Sequence, residues 1–486
     1  MKFTCDSGDL SRALALACAT ADTRSTMPIL ANVRLEARGK THAHLTATDL
    51  NAWLQVAIPA DIATDGAYTL PAKALAGAIG KDGRATLDYG GNAHADIRDG
   101  SRAVRLSGLP SADYPKVPEG AEKTDTYPTA DLRELIRATF DAIATDESRY
   151  HLSGALLEAD GKVARMVATD GHRLHLCERP AAGLKFPSGV LVPRNGLRVL
   201  AKVLAAHKGP TVAIGVAKWL LSVRAGNATL HVKLVDAQFP PYDLAIPKSY
   251  DRTAILDRAA LLATFERIGK LSRDRVLACT CYFSSGRLSV GADTPDMGEA
   301  HETIACEYTG KRLAIGWNVA YWIAWLKTQD CPTVRLEMQG ELDPAVLRRG
   351  DGSTAFSVVM PYRTGVASDA IPAWEAAEKV PEPSKPAMQA RPVKAAPKAK
   401  PAPKVDPKVD PVAYARQVAE DMDRIVAATD VVPPIPAAPA PKVEAKPAPV
   451  AKPAPVAKVA PAPVAPVVEP EKRMARMWEV ESTLAW

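Results

Sequence analysis

The feature that most limits what this chain can fold into is an internal repeat, met three times at a period of about 120 residues. Each unit opens on a segment with helical spacing of apolar residues: Leu10, Leu14 and Ala17 in the first, Leu132, Leu135, Ile136 and Ile143 in the second, and Leu261, Phe265 and Ile268 in the third. Strands with period-two alternation follow, reaching the turns Ala47-Thr48-Asp49, Ala168-Thr169-Asp170 and Ala292-Asp293. A strand then leads into a second helix at Pro71, Pro193 and near Asn318, with the two prolines suited to a first-turn position. Each unit ends in a proline turn, Asp113-Tyr114-Pro115, Phe239-Pro240-Pro241-Tyr242 and Met360-Pro361-Tyr362. The spacing predicts an α+β protein of three tandem domains, 1–123, 124–248 and 249–363, each with two helices packed on antiparallel sheets. A unit of this size is too large for a solenoid repeat.

The 486 residues leave room for more than these three units. Of 41 prolines, 23 follow Arg363, where motifs such as Lys-Pro-Ala-Pro-Val-Ala-Lys begin to recur. Stiff proline alternating with small and cationic residues cannot bury a core, so 364–486 is expected to be a disordered, extended spacer. Within it, Val412, Ala415, Val418, Met422 and Ile425 have the spacing of one short helix over 411–428, marginal on its own.

Charge excludes a histone-like polyanion binder: 44 basic and 40 acidic residues precede Thr364. Cations must therefore be arranged rather than abundant. Arg194, Arg198 and Lys202 recur at i, i+4 and i+8, opposite Leu197, Leu200 and Leu204. Arg133 and Arg137 repeat the pattern on the preceding helix, and Lys73 and Lys81 occupy the related helix of the first unit. One such stripe is usually a solvated face, whereas equivalent stripes around a common axis would line a sequence-blind path for phosphates.

The cysteines, Cys5, Cys18, Cys177, Cys279, Cys281, Cys306 and Cys331, are odd in number and scattered, as in a reduced cytoplasmic protein. Cys279 and Cys281 fall on one face of a strand, with no second Cys or His pair to complete a zinc site, so no metal is expected. The N-terminus lacks an apolar signal core, and no stretch suits a membrane span. Nor is there a phosphate-binding Gly-x-x-x-x-Gly-Lys loop, and no cofactor is expected.

In the second unit, Arg149-Tyr150-His151-Leu152-Ser153-Gly154-Ala155-Leu156-Leu157 is followed by Val167-Ala168-Thr169-Asp170-Gly171-His172-Arg173-Leu174. Together with Met27-Pro28-Ile29-Leu30 and Val358-Val359-Met360-Pro361-Tyr362-Arg363, these residues resemble the β sliding clamp family of bacterial DNA polymerase III. The resemblance implies a head-to-tail homodimeric ring around double-stranded DNA, held without sequence preference, with helices inside and sheets outside. It implies a processivity factor rather than an enzyme, whose partners are the polymerase III alpha subunit, the clamp-loader complex and other proteins carrying a clamp-binding peptide.

By the same resemblance, that peptide would occupy a pocket between the second and third units. The pocket would use Leu152, Thr169, Gly171, His172, Arg173, Leu174, Pro240, Asn318, Tyr321, Leu342, Pro344, Val358, Val359, Met360, Pro361 and Arg363. DNA contacts are implied for Arg24, Lys73, Tyr150 and Arg194, which join the helix-face cations Arg133, Arg137, Arg198 and Lys202. Ring closure is implied for Leu106 and Leu271. The chain departs from the family's pattern at Asn195, Leu244, Ala245, Lys270 and Tyr362. The last residues, Glu481, Leu484 and Trp486, resemble the anchors of a clamp-binding peptide.

Two other readings compete. An α+β hydrolase could use Asp170, His172 and Cys177, although Asp-Gly is first a turn signal and no nucleophile elbow accompanies it. A clamp-like paralogue could hold partners without encircling DNA.

Overall fold

Leu10, Leu14 and Ala17 share a buried face of one helix in the computed structural model of the chain, as their spacing predicts. The structure describes residues 1–374 apart from 92, 147, 271–277, 295–297, 368 and 372–373. The readings made for Leu271, for 411–428 and for 481–486 lie outside the described residues.

Each repeat contributes two α-helices. They are α1 (Ser7–Thr20) and α2 (Ala72–Ala78), α3 (Thr129–Thr139) and α4 (Arg194–Ala206), and α5 (Arg258–Gly269) and α6 (Val319–Thr328). The starts are set locally. The Asp6 and Asp257 side chains accept from the backbone N–H groups of Asp9 and Ala260 at 2.9 and 2.7 Å, and Asn318 does the same for Ala320 at 3.2 Å. Pro71 and Pro193 stand at the N-cap, one residue earlier than the sequence predicts. Each ends its strand in extended geometry, where a missing N–H leaves no helical bond unmade.

Strands of all three repeats join through a recurring ladder. Strand Ala228–Lys233, the last of the second repeat, pairs antiparallel with Ala52–Thr64 of the first, with Ala228 opposite Val56 and Leu230 opposite Leu54. Strand Phe356–Val359, the last of the third, pairs with Arg173–Pro180 of the second, with Arg173 opposite Val359 and Leu176 opposite Phe356. The register is the same in kind. A closing strand meets the strand that follows the Asp49 or Asp170 turn in the preceding repeat. Two equivalents stand at sheet ends with no outer neighbour among the described residues: Arg102–Ser107 of the first repeat and Gly298–Ala305 of the third.

Because each junction is a continuous sheet, the helices on its inner side are brought into one row, α2, α1, α4, α3, α6 and α5, each packed on the next. Between helices and sheets lies the core. One apolar cluster runs through the first and second repeats. A second fills the third, where Trp317 and Trp322 meet edge to face at 5.3 Å. No helix among the described residues is long and apolar enough to cross a membrane.

His175 sits on the strand that joins the second repeat to the third, opposite Ser357, and is buried to 1 % exposure. Neither ring nitrogen makes a hydrogen bond of good geometry among the described residues, and the Ala138 backbone nearby opposes the shift only weakly. Burial, helped by the nearby Arg173 charge, pushes its pKa down to about 3, so the folded ring stays neutral. The unfolded chain takes up this proton below about pH 6.5, and stability is therefore present above that pH and lost as pH falls toward 3. We expect the stability of the wild type against thermal unfolding to fall by up to about 1.4 kcal/mol per pH unit as pH drops through this window. His175→Leu should flatten that acid limb, measurable by calorimetry from pH 7 to 4.5.

Candidate DNA and peptide interfaces

The inner row of helices ends in carbonyls that need donors, and several arginines supply them. Arg133 on α3 donates to the Leu204 and His207 carbonyls at the end of α4, the latter at 2.7 Å. Arg258 on α5 does the same for Leu326 and Cys331 at the end of α6, at 3.2 and 3.0 Å. Arg194 donates to the carbonyls of Phe140 and Ile143 at 3.1 and 2.9 Å, with its guanidinium 4.4 Å above the Phe140 ring. Arg198 reaches across the junction to the Ala19 carbonyl at 3.0 Å. Beside it, Asn195 bonds Asp49 of the first repeat, so this departure from the family's pattern stitches two repeats together.

These bonds revise the reading of the basic stripe. Arg133, Arg194 and Arg198 are first of all caps on neighbouring helices, and Arg137 pairs with Glu134 and lies 3.8 Å from Asp330. Arg24, Lys73 and Lys202 are exposed and enter no ion pair among the described residues. Lys73 is within 3.4 Å of the Thr23 hydroxyl. Lys73 and Lys202 converge from α2 and α4 on Cys18 of α1. Burial raises that thiol's pKa, and the two ammonium charges pull it the other way. The uncompensated cations thus gather where the first and second repeats meet. Tyr150 projects nearer the second repeat's turn, 61 % exposed.

The second site is built on the Asp170 turn. Asp170 accepts from the backbone N–H groups of His172 and Arg173, both at 3.0 Å, and from Arg173 Nε at 3.0 Å. Gly171 adopts φ +88, and a Cβ there would lie 3.0 Å from the Arg149 guanidinium, so glycine is required. The turn is tied to the third repeat. Met360 N–H donates to the His172 carbonyl at 2.9 Å, the Arg173 guanidinium lies 4.7 Å over the Tyr321 ring, and His172 stacks parallel to Tyr321 at 6.4 Å.

Below this turn, Leu174, Leu176 and Val358 form an apolar cluster with Val346, Phe356 and Tyr242. Leu152, Leu174, Val358 and Val359 are buried, Thr169, Pro240, Tyr321, Pro344 and Pro361 partly so. Thr169 accepts from Gly171 N–H and donates to the Arg173 carbonyl at 2.7 Å. Asn318 is buried and caps α6. At the rim, Leu244, Leu342, Met360 and Tyr362 are 79 %, 57 %, 42 % and 46 % exposed, a concentration of large apolar side chains in water. Arg363 is exposed beside them. Sequence reasoning missed Val346 and Tyr242 as the floor and Arg149 as the brace. Tyr242 was legible as the aromatic of the repeated proline turn.

The catalytic alternative is not supported. Cys177 is fully buried on the helix-facing side of its strand, and burial pushes its thiol up to about 12, so no thiolate forms. His172 points to Tyr321 at the rim, and Asp170 is saturated by its own turn.

Three contiguous family matches cover this architecture. The N-terminal, central and C-terminal domains of the DNA polymerase III beta subunit match residues 1–118, 126–241 and 244–363. The chain belongs to the DNA polymerase III beta subunit family. The beta sliding clamp of Pseudomonas putida is 33 % identical over 378 residues, covering 75 % of this chain and 100 % of that protein. The beta sliding clamp of Escherichia coli K12 is 30 % identical over 369 residues, with the same coverage. A crystal structure of the DNA polymerase III subunit beta from Pseudomonas aeruginosa superposes with a TM-score of 0.68 at 32 % identity, covering 75 % of this chain and 100 % of that one. The last quarter of the chain thus has no counterpart in these beta subunits.

Proposed function

We propose that the chain acts in the cytoplasm as a sliding clamp, tethering a replicative polymerase to duplex DNA as a head-to-tail homodimer and performing no catalysis. The observation that carries this reading is the recurring ladder. Two junctions obey one rule, closing strand to post-turn strand, and among the described residues each chain has one strand of each kind at a sheet end. A second copy offers the complementary pair, so two chains close into a ring of six repeats in which every junction is a strand ladder. Domain limits of 1–123, 124–248 and 249–363 put both ladders at domain junctions.

Leu106 on the first free strand and Leu271 beyond α5 are assigned to the closing contact. Leu106→Lys with Leu271→Lys should therefore sediment as monomer and slide off nicked circular DNA in gel filtration, whereas the wild type should stay on the circle and leave only after linearisation. An unchanged dimer would move the interface elsewhere.

Duplex DNA passes through the ring, crossing the row of helices, and its phosphates meet Arg24, Lys73, Lys202 and Tyr150 directly. Arg133, Arg194 and Arg198 contribute charge while holding helix ends, and Arg137 contributes it while paired with Glu134. Weak contacts of this kind permit sliding, because a closed ring retains DNA by topology rather than affinity. Replacing Lys73 and Lys202 together by alanine should lower the slope of log K against log salt by about 1.8, read by fluorescence anisotropy on a short duplex. An unaltered slope would remove both lysines from the DNA path.

Partner peptides, including those of the polymerase alpha subunit and the clamp loader, insert apolar anchors at the Leu174, Pro240, Val358 and Met360 surface. The backbone around His172 and the Arg363 cation orient their polar ends. Leu244, 79 % exposed, adds apolar surface to this rim. Met360→Asp should weaken a clamp-binding peptide by at least about tenfold in fluorescence polarisation, because a carboxylate would be left unpaired among apolar groups. Equal affinity would place the peptide on another surface.

A further inference from the structure

Beyond Trp374 the sequence runs on for 112 residues, and its large apolar side chains are unevenly placed. Leucine occurs there once, as Leu484, phenylalanine never, and tryptophan twice, as Trp478 and Trp486. The apolar residues before them are mostly alanine and valine set among prolines, which bring little area per residue to a surface. Two indoles and a leucine within nine residues, on a chain that otherwise reads as a spacer, have the composition of a tethered ligand. Aromatic rings supply large contact area at low entropic cost. The same nine residues carry Glu479 and Glu481 and no cation.

The rim around the Asp170 turn has the complementary chemistry. Leu244, Leu342, Met360 and Tyr362 leave apolar area in water there, above the buried floor of Leu174 and Val358. Its cations lie on the turn and beside Tyr362. Arg149, which donates to the Asp170 carbonyl at 3.0 Å, and Arg363 are both exposed and enter no ion pair among the described residues. Asp243 and Asp343 stand instead beside Leu244 and Leu342, so an acidic segment is steered toward the arginines. The route is available. Tyr362, Arg363 and Trp374 border one groove of the third repeat, and the Trp374 indole stacks on His301 at 4.4 Å, so the spacer departs from beside the rim. A flexible chain of this length spans about 60 Å and holds its ligand at about 1 mM near such a site.

We propose that the segment Trp478–Trp486, which lies outside the described residues, docks in the peptide pocket of its own chain and acts there as a built-in competitor that partner peptides must displace. This rests on the reading of that pocket as the partner site. With an intrinsic dissociation constant of about 0.1 mM, the tethered segment fills the pocket roughly nine-tenths of the time and weakens every outside peptide about tenfold. Strong partners still enter, and weak ones are turned away.

Full-length chains and a fluorescent peptide of residues 475–486 test this by fluorescence polarisation. The double variant Leu484→Ala with Trp486→Ala, whose own segment is disabled, should bind the peptide about tenfold more tightly than the wild type. Adding Met360→Asp to that variant should weaken the peptide at least about tenfold. Equal constants for wild type and double variant would overturn the competitor, and so would absence of binding to the double variant. Binding that Met360→Asp leaves unchanged would put the segment on another surface and overturn the docking site. A ratio between wild type and double variant that grows with protein concentration would overturn docking within one chain in favour of capture by another molecule. A partner's clamp-binding peptide that ignores Met360→Asp, beside a 475–486 peptide that responds to it, would instead overturn the partner reading and leave the docking standing.

Discussion

The rest of the structure depends on one backbone pairing, repeated between neighbouring repeats. Leu230 opposite Leu54 and His175 opposite Ser357 are not contacts between finished domains; they continue each sheet into the next. A main-chain ladder satisfies donors and acceptors at every step and leaves little freedom of angle. That rigidity is why six short helices, some of only two or three turns, stand in an ordered row. Their positions are inherited from the sheets behind them.

Helices this short have a large share of their carbonyls unsatisfied at their C-terminal ends. Arg133, Arg194, Arg198 and Arg258 answer this from adjacent helices, and the first three hold their charge on the same face as Lys73 and Lys202. Capping and a positive inner surface are therefore one arrangement. An arginine can cap a helix and still present its remaining positive field, since the guanidinium keeps its charge in either role.

Much of this was legible from the residues. Apolar spacing located α1, α3 and α5, and the Asp49 and Asp170 turns were readable because an aspartate that accepts from backbone N–H groups two and three residues on leaves a local signature. The resemblance brought Thr169, His172, Arg173, Tyr321 and Met360 into one neighbourhood, and the structure does bring these residues together. What escaped was set by distant partners. Nothing near Arg133 announces that its acceptor is the Leu204 carbonyl, and Asn195 reads as a lost cation until Asp49 is seen beside it. Trp374 escaped for a different reason: it lies in a stretch whose composition suggested only a spacer, and its indole stacks on His301 over the glycine at 291, whose use is invisible until a neighbour fills the space.

The two strands at the sheet ends also give each chain a direction. Arg102–Ser107 belongs to the closing class and Gly298–Ala305 to the post-turn class, so neither is matched by its own copy. In a cell holding two alleles, one damaged in the first strand and one in the second, mixed dimers would have one sound seam and one seam in which both faults coincide. Such a dimer would persist as an open crescent, able to occupy polymerase and loader yet unable to retain DNA. Heterozygous lesions at opposite ends of this chain would therefore interfere with each other rather than complement.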